Sequence, residues 1–355
     1  MARLDDLLRA LRAERGSDLH LAAGREPRFR VHGELRSVDG WSMLADQELR
    51  ELMRELAQER HWAQFEKTND ADFAYGLQGV ARFRVNYFVQ EYGAAAVFRL
   101  IPEKIVSLED LALPKAIESL AHLQQGLVLV TGPTGSGKST TLAAIIDKIN
   151  HSYAKHVVTI EDPVEFVHEN KKCLFSHREV GQHTAGFSPA LRAAVRQDAD
   201  VVLVGEMRDQ ETIALAITAA EMGLLVFGTL HTSTAAKSID RIIDAFPARE
   251  QDQVRLSLSE SLAAVVSQLL LPTADGKGRI AVNEILLRTP GLPNVIREGN
   301  TPMLFSIIQS GRSMGMQAMD DALFSLAKDG RIQAQDAYLK ATDKQRFETF
   351  LAKDA

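Results

Sequence analysis

The apolar positions of this chain change period about a third of the way along. Leu4, Leu7, Leu8 and Leu11 recur at helical spacing, so the chain opens on an amphipathic helix. Asp18-Leu19-His20-Leu21 and Arg28-Phe29-Arg30-Val31-His32 then alternate like two strands around the turn Gly24-Arg25-Glu26-Pro27. Residues 46–60 suit a helix, and strand-like runs follow at 71–75, 80–87 and 94–100. Together these predict a small α+β module over residues 1–102, broken at Ile101-Pro102-Glu103-Lys104 and followed by a linker over 103–118. From about Leu127, short apolar runs alternate with helical stretches, the pattern of a parallel sheet wound by crossovers. Strands are expected at 127–131, 156–160, 201–204, 224–229 and 279–287, within an α/β domain over 119–289. The apolar run from Leu262 to Leu271, interrupted by Ser267 and Gln268, reads as a packed helix. Residues 290–355 read as short helices ending over 318–328, followed by a charged tail.

Composition narrows the class. A chain of 355 residues is too long for one ordinary core, and 45% hydrophobic with 25% charged residues is the balance of a soluble globular protein. The net charge of −6 argues against non-specific nucleic-acid binding by the whole surface. One cysteine, Cys173, excludes an internal disulfide and a cysteine-rich zinc module. No stretch approaches the roughly 18 apolar residues of a membrane span, and the first residues lack a signal peptide's apolar core. A cytosolic protein is expected, with any membrane association borrowed from a partner.

The strongest chemical signal is Gly132-Pro133-Thr134-Gly135-Ser136-Gly137-Lys138-Ser139, followed by Thr140. It stands between an apolar strand (126–131) and a helix that starts polar and turns apolar. Glycines let the backbone wrap phosphates, while loop N–H groups and the helix dipole face the negative charge. Lys138 would reach the β- and γ-phosphates, and the Ser139 hydroxyl would ligate Mg²⁺. The chain is expected to bind a nucleoside triphosphate.

Three further clusters each follow an apolar strand, where open α/β sheets bind ligands. In Ile160-Glu161-Asp162-Pro163-Val164-Glu165, the proline forces the chain out of the strand and would turn Glu165 toward the nucleotide, to orient or deprotonate the attacking water. Glu161 and Asp162 fit either that role or a solvated turn. Val201-Val202-Leu203-Val204-Gly205-Glu206 is Walker-B-like, with Glu206 holding Mg²⁺ directly or through water. Thr229-Leu230-His231-Thr232 could place Thr229 or His231 as a γ-phosphate sensor, although a lone histidine at a strand end is ordinarily structural. Among the strand arginines Arg82, Arg84 and Arg99, the second and third are candidates to reach a neighbour's phosphates as arginine fingers.

These four motifs, from Gly126, Ile160, Val204 and Gly228, resemble the Walker A, Asp box, Walker B and His box of secretion-superfamily ATPases, and within them the PilT family of type IV pilus retraction ATPases. Ser17-Asp18-Leu19-His20-Leu21, residues 80–86, Glu165-Phe166-Val167-His168-Glu169 and Gly315-Met316-Gln317 share the likeness. The resemblance implies a homo-hexameric ring whose subunits join a PAS-like N-terminal domain to a RecA-like core. It implies ATP and Mg²⁺ as ligands, and Glu165 as catalytic glutamate beside Lys138, Glu206, His231, Arg84 and Arg99. It also implies a cytoplasmic motor, peripheral at the inner-membrane pilus base, that acts on the platform protein, with a paralogous retraction ATPase as a further candidate partner. Two departures stand out: Leu224 where the family's His box usually opens with histidine, and Pro293 in Gly291-Leu292-Pro293-Asn294-Val295-Ile296-Arg297-Glu298, where the usual motif has arginine and the helix would start later. The alternatives are an accessory paralogue in a retraction ring with weak or altered output, an extension or type II secretion ATPase (which would usually carry a four-cysteine insertion), and a RecA-like nucleic-acid motor.

Overall fold

The computed structural model describes residues 3–31, 33–101 and 104–351. His32, read as the end of the second strand, lies outside them, as do Pro102 and Glu103, read as the break after the fifth strand-like run, and the last four residues of the expected tail. The chain divides into two compact units, Met1–Lys104 with Glu165–Val167, and Ile105–Val164 with His168–Ala355.

The first unit begins with helix α1 (Arg3–Ala13), which buries Leu4, Leu7, Leu8 and Leu11. Strands β1 (Asp18–Ala22), β2 (Arg28–Val31) and β3 (Glu34–Ser37) follow, then α2 (Asp46–Leu56), α3 (Glu59–Thr68), β4 (Asp70–Leu77), β5 (Ala81–Gln90) and β6 (Gly93–Ile101). They make a six-stranded antiparallel sheet in the order β3-β2-β1-β6-β5-β4. Period-two alternation sends Phe83, Val85 and Tyr87 into a core shared with Leu19, Phe29, Phe98 and the leucines of α1. The helix expected over 46–60 is two helices, because the chain turns extended at Ala57 and Gln58. The exposed strand β3 has no apolar alternation to announce it.

The second unit is built on a seven-stranded sheet. Its elements are α4 (Lys115–Ser119), β7 (Gly126–Thr131), α5 (Lys138–Ser152), β8 (His156–Glu161), β9 (Leu174–Glu179), α6 (Phe187–Ala194), β10 (Val201–Val204), α7 (Gln210–Glu221), β11 (Leu225–Leu230), α8 (Ala235–Asp244), α9 (Ala248–Ser261), β12 (Leu262–Pro272) and β13 (Arg279–Leu287). Short helices α10 (Leu292–Arg297), α11 (Leu304–Ser310), α12 (Met319–Lys328), α13 (Ala334–Lys340) and α14 (Gln345–Leu351) complete it, so much of the expected tail is helical. The strand order is β13-β12-β7-β11-β10-β8-β9, and every neighbouring pair is parallel except β12 with β13. Both faces are covered: Leu127 and Leu129 of β7 enter one apolar core, Val128 and Val130 the other.

Residues 262–271, expected as a helix, are strand β12. A continuous apolar run looks the same whether it is a buried helix or a strand covered on both faces. Here Val265 faces one core and Ala264 and Val266 the other, as only a strand between two neighbours requires. Strand β9 is a further difference from the expected strands and carries no apolar signature: its Leu174 is exposed and its remaining residues are largely polar. At the second family departure, α10 starts at Leu292 with Pro293 in its first turn, where a missing N–H costs nothing.

Candidate functional site

In the second unit, the chain leaves the carboxyl end of β7 into the loop 132–137 and enters α5 at Lys138. Backbone conformation explains the glycines. Gly132, Gly135 and Gly137 have φ of 146°, 78° and 85°, a range L side chains rarely adopt. Space is the second constraint at Gly132, where a β-carbon would lie 2.2 Å from the Gln268 carbonyl oxygen. Pro133, Thr134 and Gly135 are exposed, while Ser139 and Thr140 are half-buried on the first turn of α5. Lys138 Nζ donates to the carbonyls of Gly132 at 2.8 Å and Pro133 at 3.0 Å, which holds the ammonium over the loop. Ser136 Oγ is buried without a partner, an orphan donor of the kind a phosphate oxygen would satisfy.

The acid of the second motif follows β10, two strands from β7 with β11 between, so roughly 10 Å away across the sheet. Glu206 Oε1 accepts from Arg208 Nε at 2.5 Å and lies 3.0 Å from His231 Nε2, which follows β11. Burial alone would raise the Glu206 pKa; hydrogen bonding and charge from Arg208 and the neighbouring His231 outweigh it and hold the carboxyl below its usual range. Glu206 is therefore a carboxylate at neutral pH. Thr229 Oγ1 donates to the Gly205 carbonyl and ties the two strand ends together. Asp209 caps α7 by accepting from Thr212 N at 2.8 Å. Leu224 sits just before β11, at the end opposite His231, and packs on the apolar core.

The structure brings Lys138, Ser139, Glu206 and His231 to the carboxyl ends of three adjacent inner strands of one sheet. Glu165 is half-buried just beyond β8, after the cis Asp162–Pro163 bond, in the short segment grouped with the first unit. Arg84 and Arg99 are cross-strand partners on β5 and β6, and both are exposed. Arg99 Nε also donates to Asp18 Oδ1 at 2.8 Å.

Sequence reasoning missed the residues behind the loop. Gln268 Nε2 on β12 donates to the Ser136 carbonyl at 2.6 Å, and Gln268 Oε1 accepts from Thr141 at 2.9 Å and from Asn283 at 3.0 Å. Ser267 Oγ lies 2.9 Å from Thr131 Oγ1. Their only signal in the sequence is that two polar residues, Ser267 and Gln268, stand inside an apolar run.

A glycine cradle and lysine at a strand-to-helix turn, with an acid two strands away in a mostly parallel sheet, define a P-loop protein with a RecA-like core. A family model described as "Type II/IV secretion system protein" matches residues 2–291, and the chain belongs to that family. It is 50% identical over 341 residues to the "Type IV pilus retractation ATPase PilT" of Pseudomonas aeruginosa, covering 96% of this chain and 98% of that one. It is also 50% identical over 319 residues to a "Twitching motility protein" of Neisseria gonorrhoeae, covering 90% of this chain and 85% of that one. A crystal structure of the pilus retraction motor PilT with bound ADP superposes with a TM-score of 0.90 at 41% identity, over 98% of this chain and 99% of that one.

Proposed function

We propose that this chain is the subunit of an ATP-hydrolysing homo-hexameric motor that drives type IV pilus retraction. The observation that carries the nucleotide reading is the loop itself: three glycines that L side chains would strain, an orphan buried Ser136 hydroxyl and a lysine held over the turn. The likeness to PilT over nearly the whole chain supports the retraction reading.

In this reading the loop N–H groups and Lys138 bind the β- and γ-phosphates, and Ser139 presents its hydroxyl to Mg²⁺. Among the described residues no cluster of three or more His, Cys, Asp or Glu could hold a metal unaided. One hydroxyl and one carboxylate, Glu206, suit Mg²⁺ all the same, because that ion keeps several waters and binds through one or two protein groups plus phosphates. When bound, it would neutralise charge on the phosphates. Glu165 would orient and deprotonate the attacking water, His231 would hold Glu206 and sense the γ-phosphate, and Arg84 and Arg99 would face phosphate charge. We assign residues 1–102 to a PAS-like domain, 103–118 to a linker, 119–289 to the ATPase domain and 290–355 to a helical subdomain. The ring would work in the cytoplasm at the inner-membrane pilus base, against the platform protein.

The test is Mg²⁺-dependent ATP hydrolysis by the purified protein, abolished in Lys138→Ala and Glu206→Ala. Normal turnover in either variant would remove the site. Deleting the gene should leave cells with surface pili that do not retract, whereas bald cells would point to an assembly ATPase. The departure from the family motif at Pro293, rather than any disturbance of α10, keeps a second reading open, an accessory paralogue in a retraction ring with weak or altered output. That reading predicts weak hydrolysis and no restored retraction when the chain replaces the host's retraction ATPase.

A further inference from the structure

The polar side chains behind the phosphate loop continue beyond it. Gln268 and Asn283 are 2% and 1% exposed, so their hydrogen bonds are formed without competition from solvent. Gln268 Nε2 holds the Ser136 carbonyl at 2.6 Å. In a trans peptide the C=O and the next N–H point in opposite directions, so this bond turns the Gly137 N–H away from β12. A β-carbon on Gly137 would come within 2.9 Å of Gln268 Nε2, and one on Gly132 within 2.2 Å of the Gln268 carbonyl oxygen. Loop and strand are thus fitted to each other through backbone and side chain together.

On its other side the Gln268 amide meets β13, where Asn283 Nδ2 donates to Gln268 Oε1 at 3.0 Å. The Asn283 backbone carbonyl accepts from Gln317 Nε2 at 2.8 Å. Gln317 also forms a backbone bridge with Ile285, and the next residue, Ala318, is the N-cap of α12. Asn283 Oδ1 has no partner, so the amide is held through its Nδ2 alone.

We propose that Gln268 is a positioning residue for the phosphate loop, and that through Asn283 and Gln317 it couples nucleotide occupancy to the start of the C-terminal helices. This inference rests on the nucleotide reading of the loop. Binding that uses the Ser136–Gly137 peptide in the orientation Gln268 already holds is favoured by that bond, and the same ordering extends to Gln317 through two hydrogen bonds and the β12–β13 pairing. Loosening Gln317 loosens Asn283 and Gln268 in turn, so it weakens nucleotide binding although Gln317 does not bond the loop.

The experiment measures ADP affinity by titration calorimetry, with kcat and KM for ATP, on the full-length assembly. Gln268→Leu should weaken ADP about tenfold, the effect of losing a buried hydrogen bond. Gln317→Leu should weaken it several-fold and raise KM more than it lowers kcat. The double variant should be little worse than Gln268→Leu alone. Unchanged ADP affinity in Gln317→Leu, or fully additive losses, would overturn the coupling. Should Gln268→Leu fail to fold, Gln268→Glu keeps the acceptor for Thr141 and Asn283 but loses the donor to Ser136; unaltered affinity there would overturn the positioning role. A wild-type protein unable to bind ADP would sink the nucleotide reading itself, a result distinct from either.

Discussion

The two sheets of this chain use polar side chains in opposite ways. Along β5, Arg82, Arg84 and Asn86 alternate with buried Phe83, Val85 and Tyr87, so one face of the antiparallel sheet is polar and the other apolar. A polar residue there is the expected half of a pattern and says little by itself. The second sheet is covered on both faces over its inner strands, and outside the polar edge strand β9 few polar residues lie within its strands. Thr131, Thr159, Ser267, Gln268, Asn283 and Glu284 are all buried. Each has a hydrogen-bond partner, as burial demands. Polarity in a dry sheet therefore marks work, and in a half-wet sheet it mostly marks a face.

The largest effect that tests this contrast is expected at the loop. Gly132→Ala puts a β-carbon 2.2 Å from a backbone oxygen of β12, at a φ of 146°. It should cost about 3–5 kcal/mol in strain and overpacking and abolish nucleotide binding. Gly135→Ala shares a positive φ, 78°, but meets open space, so it should cost only about 1–2 kcal/mol. Denaturant midpoints of the two variants make the comparison. Equal losses would show that conformation, and not the close approach of β12, sets the requirement.

The contrast also explains what could be read in advance. The loop, Glu206 and His231 were legible because each follows an apolar strand directly, so a linear motif reports a spatial one. Strands β7, β8, β10, β11 and β13 showed as short apolar runs bounded by turns. Strand β12 did not, because Leu262 to Leu271 sits between two neighbours and fills both cores, which leaves no alternation. With its secondary structure misread, Gln268 could not be placed against Ser136, a contact that spans 132 positions of sequence. The row that joins Asp18, Arg99 and Arg84 depends on register across β1, β6 and β5 and has no local signature either.

A smaller effect is expected at Glu284, the one buried acid within β13. Its Oε1 accepts from Ala235 N, at the start of α8, at 2.7 Å. Burial raises its pKa above the ordinary glutamate value, and the backbone donors Ala235 and Met319 offset this only in part. The folded form therefore holds the proton more tightly than the unfolded chain. Its contribution is fully present below the ordinary carboxylate range and falls as pH rises toward the raised value. Glu284→Ala leaves two backbone N–H groups without their acceptor and should cost about 2–4 kcal/mol. Glu284→Gln keeps an acceptor and should remove that slope, measured as denaturation midpoints at acid and neutral pH. A Gln variant with the same pH slope as wild type would show that Glu284 titrates like a surface acid.

The smallest stability effect belongs to the polar face of the first sheet. Asp18 is buried, which would raise its pKa, but hydrogen bonds from Arg99 and Ser17 more than compensate and keep the carboxyl below its usual range. That contribution is present above the ordinary carboxylate range and is lost as pH falls through the lowered value. Arg99 is 69% exposed, so its ion pair is screened, and Arg99→Ala should cost less than about 1 kcal/mol. Under the proposed function the same change should reduce kcat at least a hundredfold, because an arginine that faces phosphate acts on the transition state. A melting temperature near wild type with turnover nearly gone would show that this face carries function despite its ordinary alternation. Turnover equal to wild type would return Arg99 to the solvated half of a two-sided sheet and leave Arg84, its cross-strand neighbour, as the arginine to test next.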